Sequence, residues 1–272
     1  MASASATTSS ETRDAIARRF ATLRADRRRA LVPYVTAGHP DPASSLELLR
    51  GLEAAGADVV EVGVPFSDPM ADGPVIQASS QRALEHGVTF DRVLELIARA
   101  KLRIPVVLFS YLNPLLAAGP DALVRAADAG AHGVLVTDLP VGSDSEREAW
   151  FGDGPLAFIR LVAPTTPADR MAEIAKHGSG FVYLISRLGV TGMRDELPPE
   201  LPATVDRLRH ATTLPICVGF GVSHPEHARS VATLADGVVV GSAIVRAAGE
   251  SASAALSLVT ALRGAIDTVE DR

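Results

Sequence analysis

The chain has 272 residues, 47% of them hydrophobic and 21% charged, and its 26 Lys and Arg against 32 Asp and Glu leave a formal charge of −6. That acidic balance speaks against a nucleic-acid binder, whose affinity comes from Lys and Arg clustered on phosphates. The single cysteine, Cys217, excludes an internal disulfide and a Cys-rich metal knuckle, and no apolar run approaches the roughly 20 residues of a membrane helix.

Residues 1–10 are small and polar, without the basic and apolar regions of a signal peptide, and are expected to form a disordered tail. A cytoplasmic location is expected, which suits one cysteine. Residues 11–24 place Ile16, Phe20 and Leu23 on one face, which predicts a helix capping the bottom of the domain. The arginines in and after it (Arg18, Arg19, Arg24, Arg27, Arg28 and Arg29) read more readily as a solvated face, balanced by Glu11, Asp14 and Asp26, than as an anion site.

From residue 31 onward, short apolar runs alternate with longer segments of helical spacing. The runs are 31–36, 59–64, 105–110, 133–137, 156–161, 181–185, 215–218 and 237–240. Each is rich in Val, Ile and Leu and continuous, the pattern of a strand buried on both faces of a parallel sheet. Between them fall Leu46, Leu49 and Leu52, then Leu84, Val93, Leu94 and Ile97 in a paired stretch broken at Gly87, then 123–129, 171–175, 205–210, 228–234 and 256–262. Asp41 ahead of Pro42, Thr166 ahead of Pro167 and Ser223 ahead of His224 and Pro225 read as helix caps. Eight strand–helix units predict an α/β fold, a (β/α)8 TIM barrel with an extra N-terminal helix, as one domain over 11–272. An open doubly wound sheet would show fewer strands and a Gly-rich turn after the first, and that turn is absent.

In such a barrel the reactive groups sit on the loops after the strands. The polar residues there are Glu61, Asp68, Asp72, Tyr111, Asn113, Asp138 and Tyr183. Glu61 interrupts a run of valines (Val59, Val60, Val62, Val64). A carboxyl placed there points into the barrel mouth, and desolvation raises its pKa toward the range useful for proton transfer. Asp72 follows a loop stiffened by two prolines, as a second carboxylate held in place or equally as a turn residue beside Gly73. Gly219-Phe220-Gly221 after strand seven and Gly241-Ser242 after strand eight are where these barrels bind phosphate, on bare N–H groups at a helix N-terminus. Gly189-Val190-Thr191-Gly192 after strand six is a third such loop, able to close over a ligand.

Absences narrow the chemistry. Lys101 and Lys176 are the only lysines and fall at helix ends, so no imine-forming lysine is expected. His224 and His227 have i, i+3 spacing but no third ligand nearby, and read as solvated helix residues. Cys217 reads as packing. The inventory points to carboxylate acid–base catalysis on a phosphate ester, with no metal.

The stretch Glu61-Val62-Gly63-Val64-Pro65-Phe66-Ser67-Asp68-Pro69-Met70-Ala71-Asp72-Gly73-Pro74, running on to Ile76-Gln77, resembles the α subunit of tryptophan synthase. Tyr111-Leu112-Asn113-Pro114, Thr137-Asp138-Leu139-Pro140 and Ser186-Arg187-Leu188-Gly189-Val190-Thr191-Gly192 extend the resemblance in the same order. It spans most of the chain, from Pro33-Tyr34-Val35-Thr36-Ala37-Gly38 to Gly241-Ser242-Ala243-Ile244-Val245. The resemblance implies a lyase of tryptophan biosynthesis that cleaves indole-3-glycerol phosphate to indole and glyceraldehyde 3-phosphate. Indole would pass to a β subunit in an α2β2 heterotetramer, with pyridoxal phosphate held by that partner and no cofactor in this chain. It implies Glu61 as the acid–base group and Asp72 as the carboxylate that accepts the indole N–H. Tyr183 would stand beside the substrate, and Tyr34 and Ile76 would pack on its ring. Gly192, Phe220, Gly221, Gly241 and Ser242 would hold the phosphate, Thr191 would position Asp72 from the lid, and Asp68 would signal to the partner. His39 departs from the Asp of many relatives, and Gly142 from the Glu of some. A stand-alone enzyme releasing free indole and a non-catalytic phosphate-binding activator of a partner are the competing readings; an intact Glu61 and Asp72 argue against the second.

Overall fold

The computed structural model describes residues 10–185, 198–219 and 221–269. Eight parallel strands close into a barrel in chain order: β1 (Ala30–Thr36), β2 (Val60–Gly63), β3 (Val106–Ser110), β4 (Gly133–Val136), β5 (Ala157–Val162), β6 (Val182–Ile185), β7 (Ile216–Gly219) and β8 (Gly237–Val240), with β8 pairing back onto β1. These strands fall within a residue or so of the predicted runs, and the barrel expectation holds. Helix α1 (Ala15–Ala25) precedes β1, and α2 (Pro42–Leu52) follows it. The pair α3 (Pro74–Glu85) and α4 (Phe90–Ala100) follows β2, separated at Gly87, whose φ of +71° suits glycine. Next come α5 (Leu112–Ala117), α6 (Ala122–Asp128), α7 (Ser145–Gly152), α8 (Ala168–Lys176), α9 (Leu201–Ala211), α10 (Pro225–Ala232), α11 (Ser242–Glu250) and α12 (Ala252–Ile266).

The unbroken apolar strands are explained by two separate cores. Val32, Val59, Val107, Leu135, Ile159, Cys217 and Val239 fill the barrel. Their alternate neighbours Val35, Val62, Leu108, Val134, Phe158, Leu184 and Val218 pack outward against the helices. Neither face of the sheet meets water, so hydrophobic residues do not alternate with polar ones.

Helix α1 plugs the bottom of the barrel, as its apolar face predicts. A Cβ on Gly133 would lie 2.7 Å from Ile16 Cδ1, so glycine in β4 makes room for the plug. Phe20 packs on Phe181 with ring centroids 5.8 Å apart. Of the arginines expected on a solvated face, Arg18, Arg24 and Arg27 are exposed, while Arg19, Arg28 and Arg29 are half-buried. Arg19 pairs with Asp58, which also accepts from Arg263 at 2.9 Å and from the Leu31 N–H at 2.9 Å. Asp58 is 1% exposed and Arg263 8%, and both are paired more than once: Asp58 with Arg19 and Arg263, and Arg263 also with Asp267 at 2.7 Å. This cluster fastens α1, β1 and α12 together at the end of the barrel away from the strand termini that carry chemistry.

Two cap assignments change. Asp41 does cap α2, accepting from the N–H groups of Ala43 and Ser44. Thr166 does not cap α8: Pro167 takes the N-cap position, and the Thr166 hydroxyl accepts the Ala163 N–H, closing the loop upstream. Ser223 does not cap α10, because the helix begins one residue later, with His224 as N-cap and Pro225 in its first turn. Gly142 also has a local reason: its φ is +84°, and its N–H donates to Glu148 at 2.7 Å, the carboxylate that pairs with buried Arg160.

Candidate active site

The strand termini of the barrel open into a cavity of about 730 Å³, counted to its mouth, bordered by Tyr34, Glu61, Asp72, Ile76, Phe109 and Tyr183 and by Gly221, Val222, Ser223, Gly241, Ser242 and Arg246.

Glu61 lies in register with Tyr34 on β1 and Val107 on β3, on the face that turns into the barrel. It is fully buried, and neither carboxyl oxygen has a hydrogen-bond partner among the described residues. Burial alone pushes its pKa up to about 8. At neutral pH the group is therefore mostly a neutral acid, poised to give up a proton to whatever fills the cavity. The tyrosines beside it depend on two glycines. A Cβ on Gly63 would come within 2.1 Å of the Tyr34 hydroxyl, and one on Gly219 within 2.2 Å of the Tyr183 hydroxyl. Gly219 thus makes space for Tyr183, whereas the sequence placed it with the phosphate glycines. Tyr34 meets Phe109 edge-on at 5.1 Å, and Thr36, two residues on, pairs with Ser79 at 2.7 Å.

Asp72 reaches the cavity from the loop after β2. It is 8% exposed, and burial raises its pKa to about 6, opposed by a hydrogen bond from the Tyr111 hydroxyl. That hydroxyl also accepts the Ala71 N–H at 2.9 Å, while Gln77 donates to the Asp72 carbonyl at 2.9 Å and Phe66 packs on Tyr111 at 5.2 Å. The loop is thus held at both sides of the carboxylate, and Asp72 is no mere turn residue. Above pH 6 it presents a negative charge 11 positions after a neutral acid, two carboxyls driven to different states by their surroundings.

Helix α11 starts at the border of the cavity. Its N-cap is Gly241, no side chain caps it, and its first N–H groups are available to an anion. Gly221 has φ +97°, a turn conformation that favours glycine. The cavity can therefore take a ligand with an aromatic or otherwise flat body and an anionic group.

The structure brings Glu61, Asp72, Tyr34, Ile76, Tyr183, Gly221, Gly241 and Ser242 to this one cavity. Thr191, Gly192 and Phe220 lie outside the described residues. Asp68 does not line it: exposed on the loop, it accepts from the Ser67 hydroxyl at 2.6 Å, near Met70, which is 90% exposed. Asp138 and Asn113 are also outside it, Asp138 accepting the Leu112 N–H at 2.7 Å. His39 lies against α11, where burial lowers its pKa and a hydrogen bond to the Val245 backbone opposes that. The sequence gives Phe109, Val75 and Arg246 no role, and Ser223 only that of a helix cap, yet all four border the cavity. Arg246 carried a signal, since it follows Ser242 by four residues in a helix and so shares its face. Phe109 carried none, being one apolar residue in an apolar strand.

A family model described as tryptophan synthase alpha chain matches residues 20–271. The tryptophan synthase alpha chain of Desulfatibacillum aliphaticivorans is 49% identical over 84% of this chain and 87% of its own length. That of Gluconacetobacter diazotrophicus is 47% identical over 88% and 89%. Among solved structures, tryptophan synthase subunit alpha from Legionella pneumophila superposes with a TM-score of 0.85 at 37% identity, covering 93% of this chain and 98% of that one. A chain of Mycobacterium tuberculosis tryptophan synthase superposes with a TM-score of 0.85 at 34% identity, covering 92% and 97%.

Proposed function

The chain belongs to the tryptophan synthase alpha chain family, and from that premise we propose that it is a lyase cleaving indole-3-glycerol phosphate to indole and glyceraldehyde 3-phosphate, with indole passed to a β subunit. The observation that carries this reading is Glu61, a fully buried carboxyl with no partner on either oxygen among the described residues, bordering a cavity that the uncapped start of α11 also borders.

Breaking the carbon–carbon bond requires a place for its electrons. Here the indole ring supplies that place once its C3 is protonated. Glu61, held as a neutral acid, delivers that proton, and positive charge develops on the ring nitrogen. Asp72, ionised above pH 6, accepts the indole N–H and stabilises the charge electrostatically. Glu61, now a carboxylate, takes the proton of the glycerol hydroxyl as the bond breaks. Its electron pair returns to the ring, indole and the aldehyde separate, and Glu61 ends protonated as it began. Tyr34, Ile76 and Phe109 pack on the ring, and Tyr183 stands beside it. Gly221, Gly241 and Ser242 receive the phosphate, with Gly192 and Phe220 assigned to the same task by family resemblance. Resemblance also assigns Thr191 to positioning Asp72 and Asp68 to signalling toward the β subunit of an α2β2 assembly. Pyridoxal phosphate is assigned to that partner, and the site of action to the cytoplasm.

The test is indole release from indole-3-glycerol phosphate by the purified chain. Slow turnover alone and a rise of at least tenfold on adding a β subunit are expected. Fast turnover unaffected by a β subunit would favour a stand-alone lyase, and no indole under either condition would overturn the proposal.

A further inference from the structure

We infer that the Ser223 hydroxyl is a direct ligand of the substrate's phosphate group, acting with the α11 N-terminus; the inference rests on the proposed reading of this cavity as a phosphate-ester site. Ser223 borders the cavity together with Gly221, Gly241 and Ser242 and is 7% exposed. Its Oγ is buried and has no hydrogen-bond partner among the described residues. Buried hydroxyls are nearly always paired, because an unpaired one forfeits its bonds to water without replacement. A serine just ahead of a helix would ordinarily spend its hydroxyl on the first turn. In α10 that position belongs to His224, with φ −133° and ψ 157°, and no side chain bonds the helix start. Among the described residues nothing bonds the Ser223 hydroxyl, and the residue borders a cavity.

That cavity is built for an anion. Helix α11 presents uncapped N–H groups behind Gly241, and the positive end of its dipole favours negative charge. Arg246, one turn along, is the one cationic side chain among the described residues that border the cavity. A phosphate monoester has three terminal oxygens with more acceptor sites than one helix end can serve. Ser223 adds a donor from a separate loop, the one after β7, so the phosphate is held from two loops. A hydrogen bond to a charged acceptor is among the stronger ones. The contact is made equally in substrate and transition state, since the phosphate lies away from the breaking bond, and it therefore contributes to binding more than to turnover.

Ser223→Ala separates this role from a structural one. Removing an unpaired buried hydroxyl is expected to leave the melting temperature of the ligand-free protein equal or higher. Affinity for inorganic phosphate, measured by calorimetry, should fall about tenfold, equivalent to about 1.4 kcal/mol. KM for indole-3-glycerol phosphate should rise by a similar factor with kcat within about twofold. Wild-type phosphate affinity in the variant would overturn the inference, as would a drop of several degrees in the ligand-free melting temperature, which would give the hydroxyl to the fold. Phosphate binding needs no turnover, so the two readings fail separately. A wild-type chain that binds phosphate through Ser223 but releases no indole overturns the proposed function alone, and one that releases indole with Ser223→Ala unaffected overturns this inference alone.

Discussion

Glu61→Gln is expected to lower kcat for indole formation by at least about 10⁴-fold while changing the affinity for inorganic phosphate by less than about threefold. A single acid or base commonly contributes about 10²–10⁴-fold, and the proposal gives Glu61 both proton transfers, so the upper end applies. The substitution isolates the chemistry. Glutamine has the shape of the neutral acid that burial imposes on Glu61, so the cavity should not rearrange and the melting temperature should hold. Phosphate binding, at the start of α11, should not notice the change. Indole formation within tenfold of wild type in this variant would remove Glu61 from the mechanism.

Asp72→Asn should lower kcat by about 10²–10³-fold, the range found when one preorganised electrostatic partner of a developing charge is lost. The amide can still accept the indole N–H and the Tyr111 hydroxyl, so geometry survives and only the negative charge disappears. The same variant decides what causes the acidic limb of the pH profile. Asp72 is charged above its raised pKa of about 6 and neutral below it, so wild-type activity should fall as pH drops through 6. The substrate phosphate also titrates near pH 6. If the limb disappears in Asp72→Asn it belongs to Asp72; if it stays it belongs to the phosphate, and the charge of Asp72 is not what the reaction needs.

The barrel could be read from the sequence because both faces of each strand are buried, which writes a continuous apolar run where a half-exposed strand would alternate. Glu61 could be read for the same reason, since one carboxyl among Val59, Val60, Val62 and Val64 contradicts its surroundings. Ser223 was misread because a serine ahead of His-Pro is a strong cap signal, and only three-dimensional placement reveals that the helix starts one residue later. Gly219 and Gly221 look alike in sequence, yet one spares the Tyr183 hydroxyl a collision and the other turns the chain at φ +97°. The pairing of Arg19 was not legible because its acceptor is distant in sequence: Asp58 lies 39 residues away. Tyr111 could be located at a strand end, but its bond to Asp72 depends on how the loop after β2 folds back over β3.

The most direct measurement is the alkaline limb of kcat/KM for indole-3-glycerol phosphate, which reports groups of the free protein. With Glu61 raised to about 8 by burial, its proton is present below that pH and lost above it, so activity should decline about tenfold per pH unit beyond 8. A profile that stays level to pH 10, or one already falling between pH 4 and 5, would contradict a neutral Glu61 as the acid that starts the cleavage.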